Sequence, residues 1–400
     1  MKTIGVVAEY NPFHNGHAYH LAESRRKAGE DAAVIAVMSG DFVQRGEAAV
    51  YSKYARAEAA CRCGADLVIE LPLPWCAASA EGFAKAAVHI LGSLGADVLS
   101  FGCETEDLDE LIAVAELIGQ ENFIDRVLRM LKENPEQSFA AARQKAAEET
   151  LGRELTCLSR PNSILAVEYL KAIRREGLSL RPEVILRSGP GHDEAGKGRM
   201  ASAAELRSRL GAGISIAAPV PTKAEEIFRR EREAGREAAD RAKIDLLMLS
   251  RLRFLKREEF SDLPGTQDGL GERLYDAVRR ENSYPSVLQA ASTRRYPLAR
   301  VRRTALYAVL GISAEAFSVL PQYARVLAFN EQGRTLLHEC REKTGIPLVV
   351  KPAQVRNLSA DAEAQFRLGT DAHDFYTLCY TGGETLPCGE DWRQGPAVCI

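Results

Sequence analysis

Five short apolar runs, each followed by a turn and a helical pattern, constrain this chain more than any other feature. They occupy residues 4–8, 32–38, 66–71, 97–101 and 184–186. Strands buried on both faces read as continuous apolar runs, and their alternation with helices implies a parallel sheet covered on both sides. Helical patterns cover 52–63, closed by Gly64, then 79–94, 107–118, 122–133 and 137–148. A further helix starts on Pro161 and runs to about Arg175. Ligands of such sheets bind beyond the carboxyl ends of the strands. The residues expected there are Asn11 to His17, Ser39 to Asp41, Gly102 and Arg187.

The first of those turns carries the most chemistry. Glu9-Tyr10-Asn11-Pro12-Phe13-His14-Asn15-Gly16-His17 joins the first strand to the first helix. A helix start directs N–H groups at whatever lies in front of the sheet, which suits phosphate. His14 and His17, three apart, share one helix face, and His20 continues it one turn on. Imidazoles there can donate to triphosphate oxygens as charge passes to a leaving pyrophosphate. The same spacing also occurs by accident or as half a metal site.

Composition removes several alternatives. With 46% hydrophobic and 27% charged residues and a net charge of −3, the chain reads as a soluble globular protein that is not basic overall. Any nucleic-acid contact must come from a local patch. No apolar run reaches membrane-spanning length, and no secretory signal is apparent. The nine cysteines are scattered, and Cys61-Arg62-Cys63 lacks zinc-knuckle spacing. Reduced thiols and a cytoplasmic location are expected.

Asn11-Pro12-Phe13-His14-Asn15-Gly16-His17 resembles the His-x-Gly-His signature of the nucleotidyltransferase superfamily. Longer runs are similar to one family within it, the bacterial tRNA(Met) cytidine acetate ligases. These are Gly5 to His17, Met38 to Glu47 and Gly64 to Pro72, with Arg160-Pro161-Asn162 and Arg294-Arg295-Tyr296 in support. The resemblance implies an α/β fold, with a Rossmann-like nucleotidyltransferase sheet in residues 1–218. A mostly α-helical domain in 219–400 is expected to contribute to tRNA binding. The implied reaction joins ATP and acetate into acetyl-adenylate, releasing pyrophosphate. The acetyl group then moves to N4 of the wobble cytidine of elongator tRNA(Met).

The resemblance assigns catalysis to His14 and His17. It places ATP contacts on Val7, Ala8, Glu9, Tyr10, Asn11, Pro12, Phe13, His14, Asn15, Gly16, His17, Ala18, Tyr19 and His20, and on Gly102, Asn162 and Arg187. Ser202 and Arg207 resemble the superfamily's second phosphate element, a hydroxyl at a helix start with an arginine one turn on. Ser202 with Glu205 also reads simply as a capping box, Asn162 as a helix-start residue and Arg187 as half of a salt bridge. A glycine-rich loop, Ser188 to Asp193, precedes that helix. Magnesium is expected to travel with ATP rather than in a protein cage of its own.

From Pro219 the alternation stops. A charged helical run spans 223–244, and an apolar, basic stretch follows at 245–257. Arg294, Arg295, Arg300, Arg302 and Arg303 crowd ten residues with no acid among them, and Tyr296 stands inside the group. Arg294, Arg295 and Arg302 are expected to meet tRNA phosphates, with Tyr296 free to stack. Lys53 and Arg56, three apart on one helix, are weaker candidates for the same role. Asp41 is a candidate for orienting acetate, ribose or a metal. A small-molecule adenylyltransferase shares this site but leaves nearly half the chain unexplained. A non-catalytic tRNA-binding protein predicts binding without pyrophosphate release.

Overall fold

A computed structural model describes residues 1–134, 136–187, 200–382 and 387–400. Strands β1 (Thr3–Ala8), β2 (Ala33–Ser39), β3 (Leu67–Leu71), β4 (Val98–Cys103) and β5 (Arg181–Leu186) run parallel in the order β5-β4-β1-β2-β3. The five apolar runs are these five strands. Between them lie helices α1 (Asn15–Ala28), α2 (Lys53–Arg62), α3 (Ala80–Ser93), α4 (Leu108–Ile118), α5 (Glu121–Glu133), α6 (Phe139–Leu151) and α7 (Pro161–Arg175). The chain winds from β1 through β2 to β3 on one side, then crosses to β4 and β5 on the other. The reversal opens a crevice at the carboxyl ends of β1 and β4, where such sheets hold ligands.

Alternate side chains of each strand face opposite layers. Ile35, Val37, Ile69 and Leu99 pack with α3 and α7, whereas Ile4, Val6, Ala36 and Met38 pack with α1 and α2. Gly5 sits under α3, where a Cβ would lie 2.6 Å from Leu91, so the sheet and helix approach as closely as glycine permits.

Beyond β5 come α8 (Ala203–Gly211), α9 (Thr222–Glu233), α10 (Arg241–Phe254), α11 (Arg257–Ser261), α12 (Leu270–Arg280), α13 (Tyr284–Ala291) and α14 (Leu298–Leu310). The run expected as one helix over 223–244 is broken between α9 and α10. Gly235 takes φ +68, Tyr51 bridges Glu237, and the Ala238 N–H donates to Val50 O, so the chain turns to pair with the first half.

The second half also rejoins the sheet, which its helical patterning did not foretell. β6 (Ala324–Phe329) pairs antiparallel with β3. The two-residue strands β7 (Leu348–Val349) and β8 (Ala397–Val398) each pair parallel with β6. Helices α15 (Glu331–Lys343) and α16 (Ala360–Thr377) complete the described chain. Among the described residues, no helix is long and apolar enough to cross a membrane.

Candidate active site

His14 is the N-cap of α1. Its Nδ1 accepts from the Gly16 N–H at 3.0 Å, and its own N–H donates to His17 Nδ1 at 3.3 Å. The two rings stack with centroids 3.7 Å apart. A capping box normally uses a hydroxyl and a carboxylate; here two imidazoles do the same work. Gly16 is required beside them, because a Cβ there would lie 2.9 Å from His14 Cε1.

The cap settles protonation. Burial, then the charge of Arg187, holds His14 down at about 4. Burial, then His14 and Arg187, lowers His17 as well. Both rings are neutral at pH 7. With each Nδ1 accepting a backbone N–H, the one ring proton must sit on Nε2. Burial and Arg187 also hold His20 at about 4, and its Nε2 meets Ser100 Oγ on β4 at 3.2 Å.

The rest of the turn is tightly held. Val7 and Ala8 end β1, and Tyr10, Asn11, Pro12 and Phe13 are buried. Tyr10 takes φ +48, the one non-glycine among the described residues at positive φ, a conformation that costs an L-residue about 1–2 kcal/mol. Its ring packs edge-on against Phe13 and His17. Asn11 Oδ1 accepts from the Val50 N–H. The Asn15 N–H donates to Pro219 O and Asn15 Nδ2 to Ala218 O, tying the start of α1 to the segment after α8. Ala18 packs into the core and Tyr19 is exposed. Tyr10 Oη, Asn11 Nδ2 and Ser39 Oγ are buried without a hydrogen-bond partner among the described residues, all at the carboxyl ends of β1 and β2.

The second element arrives at the same turn. Ser202 caps α8, its Oγ accepting from the Glu205 N–H at 3.2 Å, and Arg207 donates from Nη1 to Asn11 O at 2.8 Å. Two helix starts nearly two hundred residues apart thus converge on one loop. Burial lowers the affinity of Arg207 for its proton, against the pull of Glu47 and Glu9. Burial also raises the Glu9 carboxyl despite its bond from Gln44 N–H and the arginines at 207, 45 and 56. The glycine-rich loop expected at 188–193 lies outside the described residues.

Gly102, Asn162 and Arg187 also come together. Arg187 lies across Gly102, where a Cβ would be 3.2 Å from its Cγ, and its Nη1 donates to Asn162 Oδ1 at 3.4 Å. The bare backbone of Gly102 is therefore covered by a guanidinium. Glu104 was not foreseen. It accepts from Asn162 Nδ2 at 2.6 Å and from the Ser163 N–H and Oγ at 2.8 and 2.7 Å, seating a carboxylate on the start of α7. Burial opposes its charge, but these donors outweigh burial and lower its pKa. A carboxylate directly after a strand gave no sequence signal, because its partner helix begins about sixty residues later.

Lys53 and Arg56 do not face solvent and cannot touch tRNA phosphates. Arg56 is 0% exposed and donates to Tyr51 O, Glu9 O, Ser39 O and Gly40 O, binding the turns after β1 and β2 together. Lys53 is 1% exposed, with Nζ 2.6 Å from Asp391 and 3.1 Å from Glu70. Asp41 is equally enclosed, accepting from the Lys53 N–H and pairing with His373 Nδ1 at 2.7 Å, which leaves it no role toward acetate, ribose or metal.

The arginine group is not one face either. Arg294 and Arg295 are exposed. Arg300 bonds Asp268 and Gly265 O, Arg302 pairs with Glu47 at 2.6 Å, and Arg303 reaches Gln44 O. Tyr296 is buried, its hydroxyl donating to Asp268 O and its ring flanked by Arg295 and Arg300, so it cannot stack on a base.

Comparison with known proteins shows the family. The family described as HIGH Nucleotidyl Transferase matches residues 1–386. The tRNA(Met) cytidine acetate ligase of Acetivibrio thermocellus is 34% identical over 98% of this chain and 99% of its own. That of Syntrophotalea carbinolica is 37% identical over 89% and 86%. Thermotoga maritima TmcAL, 32% identical, superposes over 100% of this chain and 99% of its own. The TM-score is 0.92 in its apo form and 0.89 when bound with alpha-thio ATP.

Proposed function

Since the chain belongs to the HIGH nucleotidyl transferase family and, within it, to the tRNA(Met) cytidine acetate ligases, we propose the following division of labour for its residues. The chain is an ATP-dependent ligase that activates acetate as acetyl-adenylate and acetylates N4 of the wobble cytidine of elongator tRNA(Met). The observation that carries the residue assignment is the bond from Arg207 to Asn11 O, which joins two helix starts at one crevice.

In the first step an acetate oxygen bonds to the α-phosphorus of ATP, and the bond from that phosphorus to the β-bridging oxygen breaks. Pyrophosphate leaves. No covalent bond to the protein is needed, so catalysis is positioning and charge stabilisation. His14 and His17 donate from Nε2–H to oxygens of the reacting phosphate. Being neutral already, they require no proton from solvent. The positive end of the α1 dipole and the guanidinium of Arg187 add fixed positive charge. Ser202, Arg207 and the start of α8 hold the outer phosphates. Asn162, oriented by Glu104, frames the nucleoside side, with Arg187 lying across Gly102 beside it.

In the second step the cytidine amine attacks the acetyl carbon. The bond to the AMP oxygen breaks, and the amine gives up one proton. Among the described residues, no three His, Cys, Asp or Glu side chains form a metal cage. Magnesium would accompany ATP as its counter-ion. A tRNA substrate also argues for a cytoplasmic location. The test is mass spectrometry of nucleosides from elongator tRNA(Met) incubated with the protein, ATP and acetate. N4-acetylcytidine is expected, and unmodified cytidine with normal ATP binding would sink the assignment.

A further inference from the structure

Helix α10 starts beside the adenylation crevice. At its first residue, Arg241 approaches Glu47 at 3.6 Å, and the charges of both act on Arg207, which grips Asn11 O. The helix has 14 residues, so its ends stand about 20 Å apart. Ile244, Met248, Leu249 and Leu252 turn into the core. Ala242, Leu246, Ser250, Arg253 and Phe254 line the opposite side and are exposed. For a solvent face it is unusually apolar. Leu246 is 68% exposed. Phe254, in the last turn, is 85% exposed, more than any other large apolar side chain among the described residues.

Cations surround Phe254, and carboxylates do not neutralise them. Arg251 donates to Val309 O at 3.4 Å and Arg253 to Glu281 O at 3.1 Å. Arg279, in the last turn of α12, donates to Arg253 O and Leu255 O at 2.8 and 2.5 Å, on either side of Phe254. Lys256 follows, exposed. Among the described residues, none of these four enters an ion pair, whereas Arg257 and Arg280 are paired with Glu272, Asp276 and Glu281. A backbone carbonyl fixes the direction of a guanidinium and leaves its charge whole. A preset cationic rim thus encloses an uncovered aromatic, on a chain whose net charge is −3.

An apolar partner would cover Phe254 but strip water from cations that have no counter-charge, which is costly. RNA satisfies both features, with phosphates for the cations and a base face for the ring. We propose that the far end of α10 is a docking surface for the anticodon arm of the tRNA substrate. Arg253, Lys256 and Arg279 hold backbone phosphates, and Phe254 stacks on an unpaired base of the arm. This inference rests on the tRNA-acetylating reading above. The acceptor cytosine stays at the crevice with the adenylate, and α10 carries the arm that delivers it. The surface therefore acts on tRNA affinity and leaves the chemistry of adenylation alone.

The test measures binding of fluorescently labelled elongator tRNA(Met) to full-length protein by anisotropy. Phe254→Leu keeps an apolar side chain without a ring, and Phe254→Trp keeps a stacking face. Phe254→Leu should weaken binding about fivefold or more, while Phe254→Trp stays within about twofold of wild type. Replacing Arg253 and Lys256 together with Ala should make the fall of log affinity with log salt shallower by about one to two. In acetyl transfer the Leu variant should raise KM for tRNA with kcat kept. Acetate-dependent ATP–pyrophosphate exchange should be unaltered in all of them, because it requires no tRNA. Wild-type affinity in Phe254→Leu overturns the proposal, and so does equal weakening by Leu and Trp. A wild-type dimer that Phe254→Leu dissociates in sedimentation also overturns it, by giving the patch to a second copy. Wild-type protein that binds this tRNA without forming N4-acetylcytidine would instead overturn the parent reading.

Discussion

His14 shows how far one residue can be assigned two tasks that are separable by substitution. Its Nδ1 caps α1 and its Nε2 carries the only ring proton. Asparagine is a strong N-cap but has no group where Nε2 stands. His14→Asn should therefore melt within a few degrees of wild type while losing about 10²-fold or more in acetate-dependent pyrophosphate exchange. His17→Ala should lose exchange comparably. Wild-type exchange in either variant would remove that imidazole from the mechanism. The histidine motif was legible in the sequence because capping is local: the groups involved lie within three residues. Lys53 and Arg56 were misread for the opposite reason. Nothing near them signals burial, and the Asp391 that pairs with Lys53 lies 338 residues away.

At the level of elements, the first five strands and the helices between them follow from apolar runs and cap residues. β6 escaped that reading. Its sequence places Arg325 inside a buried strand, and only the bonds to Asp391 and Tyr54 make that arginine tolerable. The two-residue strands β7 and β8 are too short to leave a periodic signature. The arginine-rich stretch before α14 illustrates how charge density misleads when pairing is unknown: Arg294 and Arg295 alone stand outward. Replacing both with Ala should weaken tRNA binding and make the log–log salt dependence shallower by about one to two units. Filter binding across a salt series checks this, and a wild-type slope would return the stretch to a structural role.

Across the whole molecule, Asp41, Lys53 and Glu70 from the first half interlock with Arg325, His373 and Asp391 from the second. Burial disfavours a charged His373, but Asp41 and Glu390 outweigh it and raise its pKa to about 10. A group whose folded pKa is raised stabilises fully below its unfolded value, near 6.5, and the contribution fades as pH climbs toward 10. The site imidazoles act in the other direction. His14 and His20 stay neutral to about pH 4 when folded, so stability falls as pH drops from 6.5 toward 4. Denaturant titrations should show greatest stability near pH 6.5. His373→Gln should flatten the alkaline limb, which in wild type falls by about 1.4 kcal/mol for each unit that the pKa is raised. An unchanged alkaline limb would show that the imidazole is not charged in the fold.

The antiparallel pairing of β6 with β3 makes this enzyme indivisible. A gene cut after codon 218 would yield a product whose Leu67–Leu71 margin is bare and whose Lys53 has lost Asp391. Such a margin invites self-association. The fragment should collect in inclusion bodies and become soluble when residues 219–400 are produced beside it. The two halves should therefore resist exchange between relatives as separate cassettes, because each completes the other's sheet.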